Sequence, residues 1–263
     1  MRLIASTATV VVANSHYTAN SVRTSTPHAR LDVVHPALDL ARFDPARIDR
    51  SAARARLGVA GRRVLLGVVA QLSPWKGQDT AIEALRLLRD QSVDAHLLIV
   101  GSAKFVAPST RFDNEAYVVR LRRMVADLGL EDRVSWLGEC DDVRELERAL
   151  DVLLLPSQEE PFARALIEAM ALEVPVLATN VGGPPEIIRE GREGYLLPPG
   201  EPAAWARAVR RVTASAERRR ELGRAGRQRV AEAFDIERHV KAVLAVYGRA
   251  MARTAERAQA VSP

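Results

Sequence analysis

From Arg62 onward the chain alternates short, continuous apolar runs with longer amphipathic ones, and this alternation constrains the fold more than any other feature. RVLLGVVAQL, AHLLIVG, RVSWLG, DVLLLP, VPVLAT and GYLLPP show little polar alternation, as expected of strands buried on both faces. Between them lie GQDTAIEALRLLRD, NEAYVVRLRRMVADLGL, DDVRELERAL, FARALIEAMAL and PPEIIRE. In the first of these, Ala81, Ala84, Leu85 and Leu88 share one helical face, and the second stops near Gly129. Strands and helices joined by short connections predict an α/β fold, a Rossmann-like parallel sheet with helices on both faces. From Glu201 to Arg257 the pattern is helical, with a break expected at Gly223 to Gly226. The head holds a strand in TVVVANS, a helix opening at Asn14 or Ser15, and a short strand in LDVVHP; ALDLARFDPARID reads as a linker. The head, Met1 to about Pro45, is too short to be a domain of its own.

At 263 residues the chain is near the size at which a single core stops growing. Cys140 is the only cysteine, which excludes an internal disulfide and a thiolate metal cluster and suits a reducing compartment. A net charge of +5 and a pI of 9.8 invite a nucleic-acid reading. However, the bases are 35 Arg and 3 Lys, mostly interleaved with acids as on salt-bridged helix faces, and an aromatic content of 5% offers few stacking platforms. The dense basic block AERRRELGRAGRQR, from Ala216 to Arg229, is either a solvated helix face or a surface that attracts phosphate or an anionic membrane. No apolar run approaches the roughly 18–20 residues of a membrane span. The start, MRLIASTATVVVANS, faintly imitates a signal peptide, but its β-branched run reads better as a buried strand.

In a parallel sheet, ligands gather at the carboxyl ends of the strands, and three loops there stand out. QLSPWKGQD delivers Lys76 beside Gly77 at a helix start, where a lysine, free amides and the helix dipole suit a phosphate; the alternative is an ordinary surface lysine. FARALIEAMAL is apolar nearly all round and should be buried, so Glu168 is either paired in the interior or aimed at a cleft that Glu160 also faces. The amides of Phe162, Ala163, Arg164 and Ala165 are the free donors of that helix start. Together they form an anion cradle flanked by carboxylates suited to sugar or ribose hydroxyls, unless both acids merely cap the helix. TNVGGPPEII, with Gly182 and Gly183, is either a close-approach loop or a simple turn. Of the five histidines none pairs at metal spacing; His16, His35, His96 and His239 read as core or surface residues.

EEPFARALIEAMA resembles the donor-site motif of family 4 retaining glycosyltransferases, in which two glutamates are separated by seven residues, as Glu160 and Glu168 are here. QLSPWKGQDTAIEAL, VPVLATNVGGPPEII, GYLLPPGEP and AFDIERHVKAVLAVY resemble the same family in the same order, and VVVANSHYTANSV with VVHPALDLARF resembles its domain-joining region. The resemblance covers essentially the whole chain. It implies the C-terminal half of a GT-B fold: residues 1–45 as the remnant of an acceptor domain and linker, 46–234 as the nucleotide-sugar domain, and 235–263 as the crossover helix and tail. It further implies retaining transfer of a hexose from a nucleotide-diphosphate sugar. Lys76 would hold the diphosphate, Glu160 the sugar hydroxyls, Glu168 the ribose, and the amides after Phe162 a phosphate. Lys76 and Glu160 would then be the catalytic pair.

No metal or cofactor is expected, because Lys76, the amides and the helix dipole can neutralise the leaving diphosphate. The family usually has Gly-Arg where this chain has Ala70-Gln71, so Gln71 offers the diphosphate a hydrogen bond in place of a charge. The expected partners are a nucleotide sugar, an acceptor and a missing N-terminal domain or partner chain, with no nucleic acid. The expected location is the cytoplasm, with the basic tail near the inner membrane face if the acceptor is lipid-linked. The competing reading is a non-catalytic nucleotide- or partner-binding module. A nucleotide-sugar epimerase fits the carboxylate pair and the lysine loop less well.

Overall fold

The computed structural model describes residues 7–59, 63–104 and 111–261, with side chains to residue 255. The first part of the apolar start, Met1 to Ser6, lies outside the described residues. The head forms β1 (Val11–Ala13), α1 (His16–Ser25) and β2 (Leu31–Val33), with β1 and β2 paired in parallel. Ser15 is the N-cap of α1, its side chain accepting from the amide of Thr18, which matches the expected helix start. Within the expected linker the chain forms a 3₁₀ turn, and just beyond it α2 (Arg50–Arg56), a short helix the apolar pattern does not announce. Asp49 caps α2 by accepting from the amides of Ser51 and Ala52.

The main sheet contains β3 (Val64–Val69), β4 (Ala95–Val100), β5 (Val134–Gly138), β6 (Val152–Leu155), β7 (Val176–Thr179) and β8 (Gly194–Leu197). All pairings are parallel, in the order β5-β4-β3-β6-β7-β8. The helices are α3 (Gln78–Asp90), α4 (Asn114–Asp127), α5 (Arg144–Ala149), α6 (Arg164–Ala171), α7 (Pro184–Ile187), α8 (Pro202–Thr213), α9 (Ala216–Ala233) and α10 (Ile236–Val261). One core lies under α3, α4 and α8, with Trp205 and Leu85 fully buried; the other lies under α5, α6 and α9, with Ile167 and Met170 fully buried. The expected α/β architecture is the observed one.

The expected break at Gly223 to Gly226 does not occur, because α9 runs unbroken through both glycines. They serve close packing instead. A Cβ at Gly223 would lie 2.2 Å from the Glu173 carbonyl oxygen, and one at Gly226 would press on Met170 at 3.3 Å. The helical tail is divided elsewhere, at Ala214–Ser215 and at Phe234–Asp235. No helix among the described residues is long and apolar enough to cross a membrane. On α10, Ile236, Val240, Leu244, Tyr247 and Met251 are exposed, at spacings of three and four residues that put them on one face.

Glu147 on α5 is fully buried, and among the described residues neither of its carboxylate oxygens has a hydrogen-bond partner. Burial, with the nearby Glu168 charge as a lesser cause, holds its carboxyl well above the ordinary 4.5. The folded state therefore keeps a proton that the unfolded chain releases, and stability falls as pH rises above the unfolded value.

Two outcomes are expected on urea unfolding. Gly223→Ala should destabilise the fold by about 1–3 kcal/mol, whereas Gly248→Ala, with nothing within 4 Å of its added Cβ, should not. Glu147→Leu should stabilise it by about 1–3 kcal/mol at neutral pH, with the gain shrinking toward pH 4.

Candidate functional site

The strand order reverses between β3 and β6, which are hydrogen-bonded neighbours, and the crevice beyond their carboxyl ends is where an open parallel sheet receives a ligand. The loop after β3 closes as a 3₁₀ turn, Pro74–Lys76, followed by Gly77 at φ 67°. Only glycine fits there, since a Cβ would lie 2.0 Å from the Pro156 carbonyl oxygen. The Gln158 amide donates to the Trp75 carbonyl at 2.7 Å, so the loops after β3 and β6 are directly bonded. The loop after β7 closes on the same place. A Cβ at Gly182, whose φ is 81°, would lie 2.0 Å from the Glu160 carbonyl oxygen, and that oxygen also accepts from the Gly183 amide at 2.7 Å.

Backbone packing thus brings Lys76 and Glu160 together, with Nζ 2.7 Å from Oε2. Both side chains are largely buried, at 14% and 6% exposure, so this pair is shielded as a surface salt bridge is not. Ser157 Oγ donates to the same carboxylate oxygen at 3.2 Å, and Lys76 Nζ lies 4.3 Å from the centroid of Trp75. A charged pair that makes so few other bonds can exchange partners when a polar ligand arrives.

The helix expected to open at Phe162 begins at Arg164 instead. Phe162 is buried and stacks on His35 with ring centroids 5.6 Å apart, and Ala163 sits at φ 81°, a conformation that costs a non-glycine residue about 1–2 kcal/mol. The cradle is therefore part loop and part helix end. Among the described residues, none of the amides of Phe162, Ala163, Arg164 and Ala165 donates to a protein acceptor, as the sequence leads one to expect.

Glu168 is set apart from the Lys76–Glu160 pair, one turn along α6, where it accepts from Arg164 at 3.3 Å. Burial raises its carboxyl above the ordinary value, against the opposing pull of Arg164. Gln71 donates through Nε2 to the Lys104 carbonyl at 3.2 Å, while its own backbone carbonyl accepts from Gln78.

The structure also assembles a group that sequence spacing does not suggest. Glu186 on α7 accepts from the amides of His16 and Tyr17 at 2.8 and 2.9 Å, and His35 Nε2 lies 2.8 Å from the same carboxylate. Burial alone would raise this carboxyl, but His35 and the two amides outweigh it and leave it below the ordinary range. His16 and His35 come from the head and are far from Glu186 in sequence, so no local pattern could pair them. The three residues hold their potential ligand atoms within 4.8 Å of one another. They also fasten the head beside Phe162. Cys140, the only thiol, is exposed and free.

Residues 49–229, more than half of the chain, match the family described as "Glycosyl transferases group 1". A D-inositol 3-phosphate glycosyltransferase of Salinispora tropica is 36% identical over 233 residues, covering 85% of this chain and 47% of that protein. Its counterpart in Geodermatophilus obscurus is 37% identical over 255 residues, covering 94% and 52%. The chain thus spans about half the length of these curated relatives. Among solved structures, HepE of Anabaena in complex with UDP superposes with a TM-score of 0.83 at 28% identity, over 94% of this chain and 65% of that one. The C-terminal domain of LpcC, a glycosyl transferase group 1 family protein of Francisella tularensis, is 25% identical with a TM-score of 0.66, over 76% of this chain and 99% of that domain. With this fold and these matches, the chain belongs to the glycosyl transferases group 1 family.

Proposed function

We propose that this chain is the donor-binding half of a family 4 glycosyltransferase, which transfers a hexose from a nucleotide-diphosphate sugar to an acceptor with retention at the anomeric carbon. The observation that carries this is the shielded Lys76–Glu160 pair, at 2.7 Å, set at the strand-order switch point beside four unclaimed amides. The similarity to HepE, whose structures are complexes with UDP, with UDP and glucose, and with UDP-glucose, supports a nucleotide-sugar ligand.

Each group has work that suits its surroundings. As the bond between the sugar and the diphosphate breaks, negative charge grows on the leaving oxygens. The amides from Phe162 to Ala165 then oppose that charge without having to reorganise, and Lys76 adds its charge by exchanging Glu160 for the diphosphate. When Lys76 turns to the diphosphate, the Glu160 carboxylate is free to accept from sugar hydroxyls. Glu168, whose partly buried carboxylate among the described residues is bonded only to Arg164, is suited to a ribose hydroxyl. Gln71 supplies a hydrogen bond at the rim. The diphosphate sugar is the substrate, and no further cofactor is invoked.

In this reading, residues 1–45 belong to the junction with an acceptor domain, 46–234 form the nucleotide-sugar domain, and 235–263 return toward that junction. Two observations support a further domain or partner chain: the exposed apolar face of α10, and the two-stranded β1–β2 sheet to which Arg249 of α10 is tied through Asp32 at 2.9 Å. The lone free thiol is compatible with a cytoplasmic setting.

Calorimetric titration with UDP, GDP and ADP tests the proposal. One nucleotide should bind saturably, and Lys76→Ala should weaken it at least about tenfold, the loss of one charge-assisted contact. If the folded chain binds none of them, it is a module that shares the family's ancestry but not its donor chemistry.

A further inference from the structure

The basic block Ala216–Arg229 plays no part in the site above, and the structure shows where it goes. Arg219, Arg220 and Arg224 on α9 line a cavity of about 310 Å³ together with Arg50 and Arg148. Its floor is built from Leu150, Asp151 and Pro175, residues that immediately precede β6 and β7. The cavity therefore lies at the amino ends of the strands, at the opposite edge of the sheet from Lys76 and Glu160. It adjoins a second cavity of about 580 Å³ that shares Arg50, Asp151 and Arg219.

The charges in this cavity do not balance. Its lining carries five arginines against the carboxylates of Asp151 and Glu173. Asp151 is already committed: it bonds Arg50 at 2.8 Å and Arg54 at 3.1 Å, accepts from the Leu65 amide, and has Arg219 at 3.7 Å. Three guanidiniums therefore converge on one carboxylate. Arg220 and Arg224 are exposed and, among the described residues, have no hydrogen-bond or ion-pair partner. They are four residues apart on one helix, so they stand side by side on the same face.

Arg148 supplies an independent observation. Its Nη1 donates to the Leu172 carbonyl at 3.0 Å, yet its Nε is buried and, among the described residues, has no acceptor. Desolvation lowers the pKa of this guanidinium, partly offset by Glu173 and reinforced by Arg50. An anion entering the cavity would relieve the cationic excess through charge-assisted hydrogen bonds.

We propose that this cavity is a second anion site, which takes a phosphate or diphosphate group through Arg148, Arg220 and Arg224 and is separate from the donor site. Arginine suits this role, since its planar fork can engage two phosphate oxygens at once. The group can come from a soluble phosphorylated compound or from a lipid headgroup, and both present the same oxygens.

The test compares the chain with its Arg220→Gln/Arg224→Gln variant. Both residues are exposed and, among the described residues, unpaired, so the fold should tolerate the change, which equal thermal melting would verify. Calorimetric titration with inorganic pyrophosphate at fixed ionic strength reads the second site as the component of binding that the double substitution weakens, by at least about tenfold. Pyrophosphate also suits the Lys76 loop, so Lys76→Ala serves as the internal control and should leave intact the component of binding that Arg220→Gln/Arg224→Gln weakens. Sedimentation with phosphatidylglycerol and with phosphatidylcholine vesicles then assigns the source. Pulldown by the anionic vesicles alone, lost in the variant, indicates a headgroup; no pulldown, with pyrophosphate binding retained, indicates a soluble phosphate. Identical pyrophosphate isotherms in the two proteins, or no saturable pyrophosphate binding, would overturn the proposal.

Discussion

Two carbonyl oxygens, those of Pro156 and Glu160, hold the site together by lying where a side chain at Gly77 or Gly182 would have to go. Both glycines have positive φ, and each would place a Cβ 2.0 Å from one of these oxygens. The loops after β3, β6 and β7 are thereby clamped backbone to backbone. The position of Lys76 against Glu160 follows from that clamp and is not a matter of two flexible side chains finding each other. Preorganisation of this kind is what lets a site oppose developing charge without first rearranging. The stabilisation that the pair itself gives the fold is secondary, because burying two charges costs much of what their attraction returns.

The architecture was legible because its signal is redundant. Six continuous apolar runs such as VLLL in β6, alternating with amphipathic helices, admit few alternatives to a parallel sheet, and the observed strands fall inside the expected runs. At the site, the amides near Arg164 lack protein acceptors among the described residues, as a helix start leads one to expect, whereas the contact of Glu160 with Lys76 is one the sequence does not announce. What escaped was set by tertiary contact. Gly223 and Gly226 look like helix breakers in sequence, but α9 keeps them so that its backbone can approach Glu173 and Met170. The start of α6 shifted because Phe162 is drawn into an aromatic cluster with His35 and Phe234, which leaves Ala163 to make the turn. The bonds from Glu186 to His16, Tyr17 and His35 join residues over 150 positions apart, beyond the reach of any spacing argument.

The two ends of the sheet carry opposite electrostatic designs. At the carboxyl ends, Lys76 and Glu160 are balanced and largely shielded, with amides adding partial positive charge nearby. At the amino ends, several guanidiniums crowd around Asp151 and leave a surplus. The basic pI therefore does not describe one uniform surface. Much of the arginine is committed to internal bonds, such as Arg227 to the Phe43 and Ala171 carbonyls and Arg229 to those of Glu186 and Ile187, which bind α9 to the head and to α7. Arg220 and Arg224 on α9 are left unengaged among the described residues, and they stand together.

The central claim is that Glu160 is a sugar-facing carboxylate held in reserve by Lys76. Calorimetric comparison of UDP with UDP-glucose, in the chain and in Glu160→Gln, tests it most directly. The account predicts that Glu160→Gln frees Lys76, so that UDP binds at least as tightly as before, while the added affinity contributed by the glucose disappears. Equal weakening of both ligands would contradict it, and would mean that Glu160 serves only to hold the loop in place.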